Sequence, residues 1–498
     1  MPGPVYVTSV SAARRHGVFA IERTPPPSIR AIGTGVCGMV LQSPWGPDQA
    51  LTTPSGLKDL YDTIAPAGMD RTWSGYLSLI RKAWPTIKLV RVLGPTAAPA
   101  TCTLGSGVAL VTAKCKGTAG NSLLATVSNA SDGDPNHFDL VVTVAGASGI
   151  TSDTMKSINF SGNGTDSVVD TKKALLTGSV RRAAAGRPLN GTYAFSNATD
   201  GTVNAGAYTG TQGANDRGVA LFESDGSIRK VFSDDPGAAM RPAVNGALRG
   251  HAESLGDRVA FLNGPQAQSL ADVKADVANY RSVRAVYTDP WVFIVDDVDG
   301  TKRLVPSAPF AASVAAQLSP STSIAWKDPK VIAMLSGIVD LEADRGAGTA
   351  DNTDNGVATF IREENGGFSI EAGVLTVAPL DPARRNLTRT QTGDYIAVSF
   401  QRSVRPSVDA PSVPLNHDGL VLALEVFMDA MKRNAKTDPN NLPHVINYGI
   451  APLDTVNSDS DLENGLLFIP LDAKMSPAQE KIFLSVRFGE NVQVKHEA

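Results

Sequence analysis

The sequence predicts a mixed α/β, multidomain fold: an α/β core with an inserted β-sandwich-like domain and extended terminal β arms. Three observations predict it. Strand and helix periods alternate over 31–95 and again after Phe232, the signature of an α/β layer. Between them, from Gly94 to about Gly226, the chain turns rich in Gly, Ser, Thr, Asn and Ala and shows short alternating runs split by turn signals. Both ends of the chain are extended in character and β-rich. The implied division is an N-terminal arm over 1–30, the first part of an inner α/β region over 31–95 and an inserted β-rich domain over 96–228. An α/β core domain over 229–400 and a C-terminal domain over 401–498, with an amphipathic helix and a terminal strand arm, complete it.

Each element has its own justification. PVYVTSV, carrying Val5, Tyr6 and Val7, and the later Val18 and Phe19 belong to the first arm, which TPPPS closes as a stiff polyproline segment. IGTGVCGMVL reads as a buried strand and SPWGPD as its turn; Thr53 to Tyr61 suggests a short helix, Ser74 to Trp84 a second, and IKLVRVL a strand. In the insert, FDLVVTV puts Phe138, Leu140, Val142 and Val144 on one face, and NASDGDPN, SGNGTD and SNATDG mark turns. Leu270, Val273, Val277 and Tyr280 form a helical stripe, and VYTDPWVFIVDD follows as a strand. Helices are predicted at Ser307 to Gln317 and Pro329 to Leu341, and strands at FSIEAGVLTV and YIAVSF. A long helix from Asn416 to Lys436 carries Leu420, Leu424, Phe427 and Met431 inward and ends in basic KRNAK, where cations suit the negative end of the dipole. The final stretch points Ile482, Leu484, Val486 and Phe488 one way and Phe483, Ser485 and Arg487 the other; Val492 and Val494 resume the alternation after a turn.

Chemistry is harder to find. A net charge of −4 with interspersed signs builds no basic face for a phosphate backbone, which argues against a nucleic-acid partner. Cys37, Cys102 and Cys115 lack metal-ligand spacing; Cys102 and Cys115 could face each other across a hairpin, although reduced thiols are the simpler reading. The six histidines are scattered, and none stands in an HExxH pair. DDVDG at 296–300 and SDSDLEN at 458–464 lack the remaining ligands of a calcium loop, GAGTAD lacks the P-loop lysine, and no GxSxG elbow occurs. No catalytic, metal or cofactor site is therefore expected. No apolar run reaches the ~18 residues of a membrane span. Arg14, Arg15 and His16 stand where a signal peptide would be apolar, so synthesis in the cytosol is expected.

The motifs in their order resemble the contractile tail sheath proteins of myovirus-type phages and phage-tail-like particles. The opening GVFAIERTPPPSIRAIGTGVCGMVLQSPWGP is similar to that family's extended arm, small-residue strand and Gly-Pro turn, at Gly17, Val18, Phe19, Glu22, Thr34, Gly46 and Pro47. LTTPSGLKDLYD and KLVRVLG follow in the family's order, and KCKGTAGNSLLATV resembles its Gly-x-x-Gly-Asn signature at Gly117, Gly120 and Asn121. VPSAPFAASVAAQ, IAWKDP, SGIVDLE, NGVATFIREENGGFSIEAGVLTV (Gly356, Ile361, Arg362 and Gly367), YIAVSFQRSV and IFLSVRFGENVQV complete the order. The chain departs from the family at Asp328-Pro329-Lys330, at Glu371 to Leu375 and at Gln401-Arg402, as a divergent branch would.

The resemblance implies a structural, non-enzymatic subunit that polymerises as stacked hexameric rings around an inner tail tube. Contraction would drive the tube through the host envelope for genome or effector delivery. The implied partners are further copies of the chain, the tube protein, and baseplate and tail terminator proteins. The implied place is a virion tail or phage-tail-like particle assembled in the bacterial cytoplasm. Terminal arms would leave their own subunit and add strands to neighbours, since a strand with unpaired backbone groups is a liability in a monomer and a linker in a lattice. The candidate arm residues are Val5, Tyr6, Val7, Val18, Phe19, Ile482, Phe483, Leu484, Val486, Phe488, Val492 and Val494; Lys432, Arg433 and Lys436 are the candidate tube contacts. The insert would face outward. The competing readings are a cytosolic hydrolase with an appended β-sandwich, which requires a polar cluster in an α/β cleft, and another particle protein such as a capsid or tube subunit.

Overall fold

The computed structural model describes residues 33, 35–66, 86–105, 107–145, 152–159, 174–184, 186–210, 217–296, 300–325, 327–364, 366–405, 414–433, 445–458, 460, 462 and 467–475. The body begins with β1 (Val36–Leu41), β2 (Leu51–Thr52) and β3 (Thr86–Arg91); β1 and β3 are parallel, and β2 caps the edge of β3 antiparallel. VCGMVL is apolar throughout because the strand is covered on both faces, as parallel strands are. Cys37, Met39 and Leu41 face one core, against the helix Ala308–Gln317; Val40 faces the other. Gly38 lies on that second side, where a Cβ would stand 3.1 Å from the Phe222 ring, so its missing side chain is what lets Phe222 lie flat on the sheet.

The insert follows as β4 (Pro99–Leu104), β5 (Ala109–Lys116), β6 (Leu123–Asn129), β7 (His137–Val144), β8 (Ser152–Asn159), β9 (Thr177–Arg182) and β10 (Gly191–Ala194). They form two antiparallel sheets, ordered β10-β6-β7-β8 and β4-β5-β9, around a core of their own that includes Phe138, Leu140, Val142 and Val144. Asn121 ties the sandwich together: its Nδ2 donates to the Ala198 carbonyl (3.2 Å) and its Oδ1 accepts from the Ala198 N–H (2.9 Å). On the other flank Asp153 accepts from the N–H groups of Leu175, Leu176 and Thr177 at 2.7–2.8 Å. Cys102 pairs opposite Val111, so it does not face Cys115; all three cysteines are buried and free. The turn SPWG joins insert to body. Trp45 is 1% exposed and packs into the insert core, while Arg91 of β3 holds the turn by donating to the carbonyls of Ser43, Pro44 and Gly46 at 2.7–3.2 Å.

The body resumes with β11 (Lys230–Ser233), β12 (Val259–Asn263) and β13 (Ala285–Asp289), separated by the helices Arg241–Leu255 and Leu270–Val277. A small antiparallel sheet, ordered β15-β14-β16, is built from β14 (Val292–Val295), β15 (Lys302–Val305) and β16 (Ile338–Leu341); between β14 and β15 the Gly300 N–H donates to the Asp296 carbonyl (2.9 Å). β17 (Val357–Arg362) and β18 (Phe368–Ile370) complete an eight-stranded sheet of order β18-β17-β13-β12-β11-β1-β3-β2. β19 (Val445–Ile450) and β20 (Leu471–Met475) form a separate pair near the C-terminus.

Four expectations are corrected. YIAVSF is not a strand but lies inside the helix Leu387–Val404, where Leu387, Thr388, Gln391, Thr392, Ile396 and Ser399 recur on one buried face. Pro329 to Leu341 is not one helix: a single turn, Pro329–Ala333, gives way to β16, which pairs with β14. VYTDPWVFIVDD is two strands, in different sheets, broken at Asp289-Pro290. The insert also ends before 228. Tyr208, Val219 and Phe222 pack with Val40, Val231 and Val244 in the body core, so the returning segment belongs to the body by burial. The helix expected at 74–84 lies outside the described residues.

Candidate subunit interface

The helix Leu387–Val404 is shared between two cores. Its first residue, Leu387, is buried in the body core, while Ile396 joins a separate cluster with Leu424, Phe427, Met428 and Met431 of the helix Pro414–Arg433 and with Val445 of β19. Apolar residues at 424, 427, 428 and 431 form the stripe that helical spacing requires. Tyr448 of β19 fastens the hairpin to this helix by donating to Asp429 Oδ1 (2.8 Å), and the Asn457 side chain bonds both the N–H and the carbonyl of Phe468 to hold the connecting loop.

β19 and β20 run antiparallel, Val445 opposite Met475 and Ile450 opposite Leu471. Among the described residues each pairs only with the other. Among the described residues each strand therefore has one edge with no strand beside it, the kind of edge that a further strand can extend. The exposed side of the helix Pro414–Arg433 carries its own apolar stripe, Leu422 and Val426, flanked by exposed Asp418 and Glu425. That stripe and the open edges escaped sequence reasoning. Leu422 and Val426 lie at i, i+4 spacing and were the available signal; the bulge between Val445 and Asn447 blurs the alternation of β19.

Of the residues singled out in the sequence, Val5, Tyr6, Val7, Val18 and Phe19 precede the described residues, and Ile482, Phe483, Leu484, Val486, Phe488, Val492 and Val494 follow them. Lys432 is exposed at the end of its helix, and its Nζ donates to Asn447 Oδ1 of β19 (3.2 Å). Arg433 is the last helical residue, and Lys436 lies outside the described residues.

A cavity of about 780 Å³ sits at the carboxyl ends of β1 and β11, where the strand order reverses and open α/β sheets bind ligands. Its polar side chains are committed to structural bonds. Burial pushes the Asp234 carboxyl up to about 7, while it accepts from the Gln42 N–H (2.7 Å) and the Tyr208 hydroxyl (2.9 Å). Asp235 pairs with Arg241 (2.7 Å), Arg303 with Asp296 (2.9 Å), and Ser43 donates to the Trp45 carbonyl (2.5 Å) instead of a base. Thr118 donates its hydroxyl to Asp200 Oδ2 (2.5 Å) and its N–H to Asp200 Oδ1 (2.8 Å), a pairing that ties the start of the insert to its end. Among the described residues no three His, Cys, Asp or Glu stand together as a metal site, and no helix is long and apolar enough to cross a membrane.

No family model and no curated protein matches this chain. Solved structures do. A sheath tail protein from Desulfitobacterium hafniense superposes with a TM-score of 0.61 at 16% identity, over 87% of this chain and 93% of that one. A sheath tail protein from Listeria innocua gives 0.62 at 13% identity, over 90% and 96%. The helical sheath of the anti-feeding prophage in its contracted state gives 0.56 at 13% identity, over 97% and 100%. With nearly the whole length aligned in three separate cases, the fold of this chain is the fold of tail sheath proteins.

Proposed function

We propose that the chain is the structural subunit of a contractile sheath, polymerising around an inner tail tube and shortening to drive that tube through an envelope. The observation that carries the reading is the two-stranded sheet of β19 and β20, which among the described residues has no strand on either outer edge, in a chain with sheath fold whose terminal sequences are rich in strand-forming residues. An arm of one copy adding a strand to the edge of another is a heterologous contact. It repeats around a ring or along a helix instead of closing a dimer. Each added backbone hydrogen bond contributes only ~0.5–1.5 kcal/mol net, but a whole strand keeps two subunits joined while their bodies rotate. The arm residues of this reading are Val5, Tyr6, Val7, Val18 and Phe19 at one end and Ile482, Phe483, Leu484, Val486, Phe488, Val492 and Val494 at the other.

The tube contact of this reading lies on the helix Pro414–Arg433, where Leu422 and Val426 precede Lys432 and Arg433, with Lys436 following in the sequence. Rings of six, a baseplate at one end and a terminator at the other complete the particle; one aligned structure is a six-fold symmetrised anti-feeding prophage baseplate. The insert faces outward, and no catalytic step is part of the role. Negative-stain electron microscopy of the full-length chain beside a version truncated before Ile482 tests the reading, with and without tube protein. Tubes or stacked rings that vanish on truncation are expected. Monomers under every condition, tube protein included, would sink it.

A further inference from the structure

We infer that the helix Leu387–Val404 is a lever that pivots at Leu387, held in the present position by two polar latches. Its root is apolar and fixed: Leu387 is 1% exposed inside the body core, and its N–H donates to the Gly373 carbonyl (3.0 Å). Its far half belongs to the C-terminal core through Ile396, so the helix carries that unit with it. Beyond the root the helix bonds to the body through polar groups: the Thr390 hydroxyl donates to the Val283 carbonyl (3.3 Å). Arg284 grips Asp394 with two bonds (2.7 and 2.8 Å), and Arg402, about 12 Å further along at 1.5 Å per residue, donates to the Gly226 carbonyl.

The layer under the helix is also polar. A cavity of about 20 Å³ lies there, lined by the apolar Val259 and Pro320 and otherwise by polar groups, among them Arg229, Asp257, Gln391 and Asp394. Three buried atoms of this layer, Thr388 Oγ1, Gln391 Nε2 and Arg229 Nε, have no hydrogen-bond partner among the described residues. An apolar seam would fix the helix, because any displacement opens voids. A charged layer with spare donors has a second set of pairings within reach, which is what a bistable element requires. Burial raises the Asp394 carboxyl despite its grip on Arg284, so the latch is held against a desolvation cost.

The lever is a property of the single subunit, and its test needs no assembly. Failure of the sheath reading would show by microscopy and leave this measurement intact. Nitroxides on Glu253→Cys and Glu425→Cys, both exposed positions, report the distance between body and C-terminal unit; the three native cysteines are buried. One dominant distance is expected in the soluble subunit. Asp394→Asn should shift weight into a second discrete distance, and the paired change Thr388→Val with Gln391→Leu should suppress it. Arg284→Lys keeps the charge but loses the two-pronged grip, and gives the same readout should D394N fold poorly. A single unchanged distance across D394N, R284K and the apolar pair would overturn the lever, as would featureless broadening without a second peak.

Discussion

Asp234 and His251 set opposing pH dependences within one core. Burial raises Asp234 from 3.8 to about 7, so between those values the folded chain holds a proton that the unfolded chain has released. Its contribution is complete below pH 3.8 and is lost as pH rises through 7. His251 runs the other way. Burial lowers it from 6.5 to about 4, and Arg258 Nη1 lies 3.1 Å from its Nε2, so its contribution is lost as pH falls through 4. The two partly cancel in the unaltered chain. Asp234→Asn should isolate one of them: urea unfolding from pH 4 to 8 is expected to show the variant gaining on the parent as pH rises, with a slope of at most ~1.4 kcal/mol per pH unit. Parallel profiles would mean that Asp234 ionises freely. Trp45 gives a simpler test. With its ring inside the insert core, Trp45→Ala should cost ~3–5 kcal/mol of insert stability, read as a separate early transition on denaturation. Trp45 and Asn121 were both visible in the sequence as family landmarks or their neighbours, but their reasons were not. One plugs a core begun some 50 residues later and the other bonds Ala198, and neither contact leaves a local trace.

Helix and strand compete most closely where β-branched and aromatic residues crowd a helix. In TGDYIAVSF the alternation of Ile396, Val398 and Phe400 reads as a strand, yet the buried positions from Leu387 to Ser399 follow helical spacing and include Thr388, Gln391 and Thr392. The helical face is polar, so a hydrophobic pattern could not reveal it. The parallel strands were legible for the opposite reason: VCGMVL and the AVYTD segment are buried on both sides and read as short apolar or β-branched runs. Local chemistry also marks the start of the helix Leu270–Val277. There Ser269 accepts from the Asp272 N–H and Asp272 in turn accepts from the Ser269 N–H, a reciprocal cap. Ser269→Ala should lower stability by ~1 kcal/mol in chemical denaturation, with an unchanged denaturant slope. A changed slope would mean that the helix end is rebuilt.

At the scale of the whole molecule the insert is a separable module, and its two ends show it. The Gly94 N–H donates to the Asp200 carbonyl (2.9 Å), and a Cβ on Gly94 would stand 2.6 Å from the Gly201 carbonyl carbon, so the chain leaves the body and returns to it at one point. The insert core shares no member with the two body cores; Trp45 is the body's one residue in it among those described. Sequence composition shifts at Gly94, where the chain crosses outward, but it shifts back some 25 residues after the return, because the segment from Val203 to Ser224 keeps the insert's Gly- and Ala-rich composition while its Ala207, Tyr208, Val219 and Phe222 pack in the body core. Replacing 96–199 with a short Gly-Ser link, together with Trp45→Ser to remove the exposed ring, should therefore leave a folded body. The β19–β20 pair and the helix Leu387–Val404 lie outside the excised range. The shortened subunit should still form tubes by electron microscopy, narrower in outer diameter and unchanged in the bore. Loss of the fold would show that the body depends on the insert. A folded subunit that no longer polymerises would assign the insert a lattice contact and withdraw it from the outer surface.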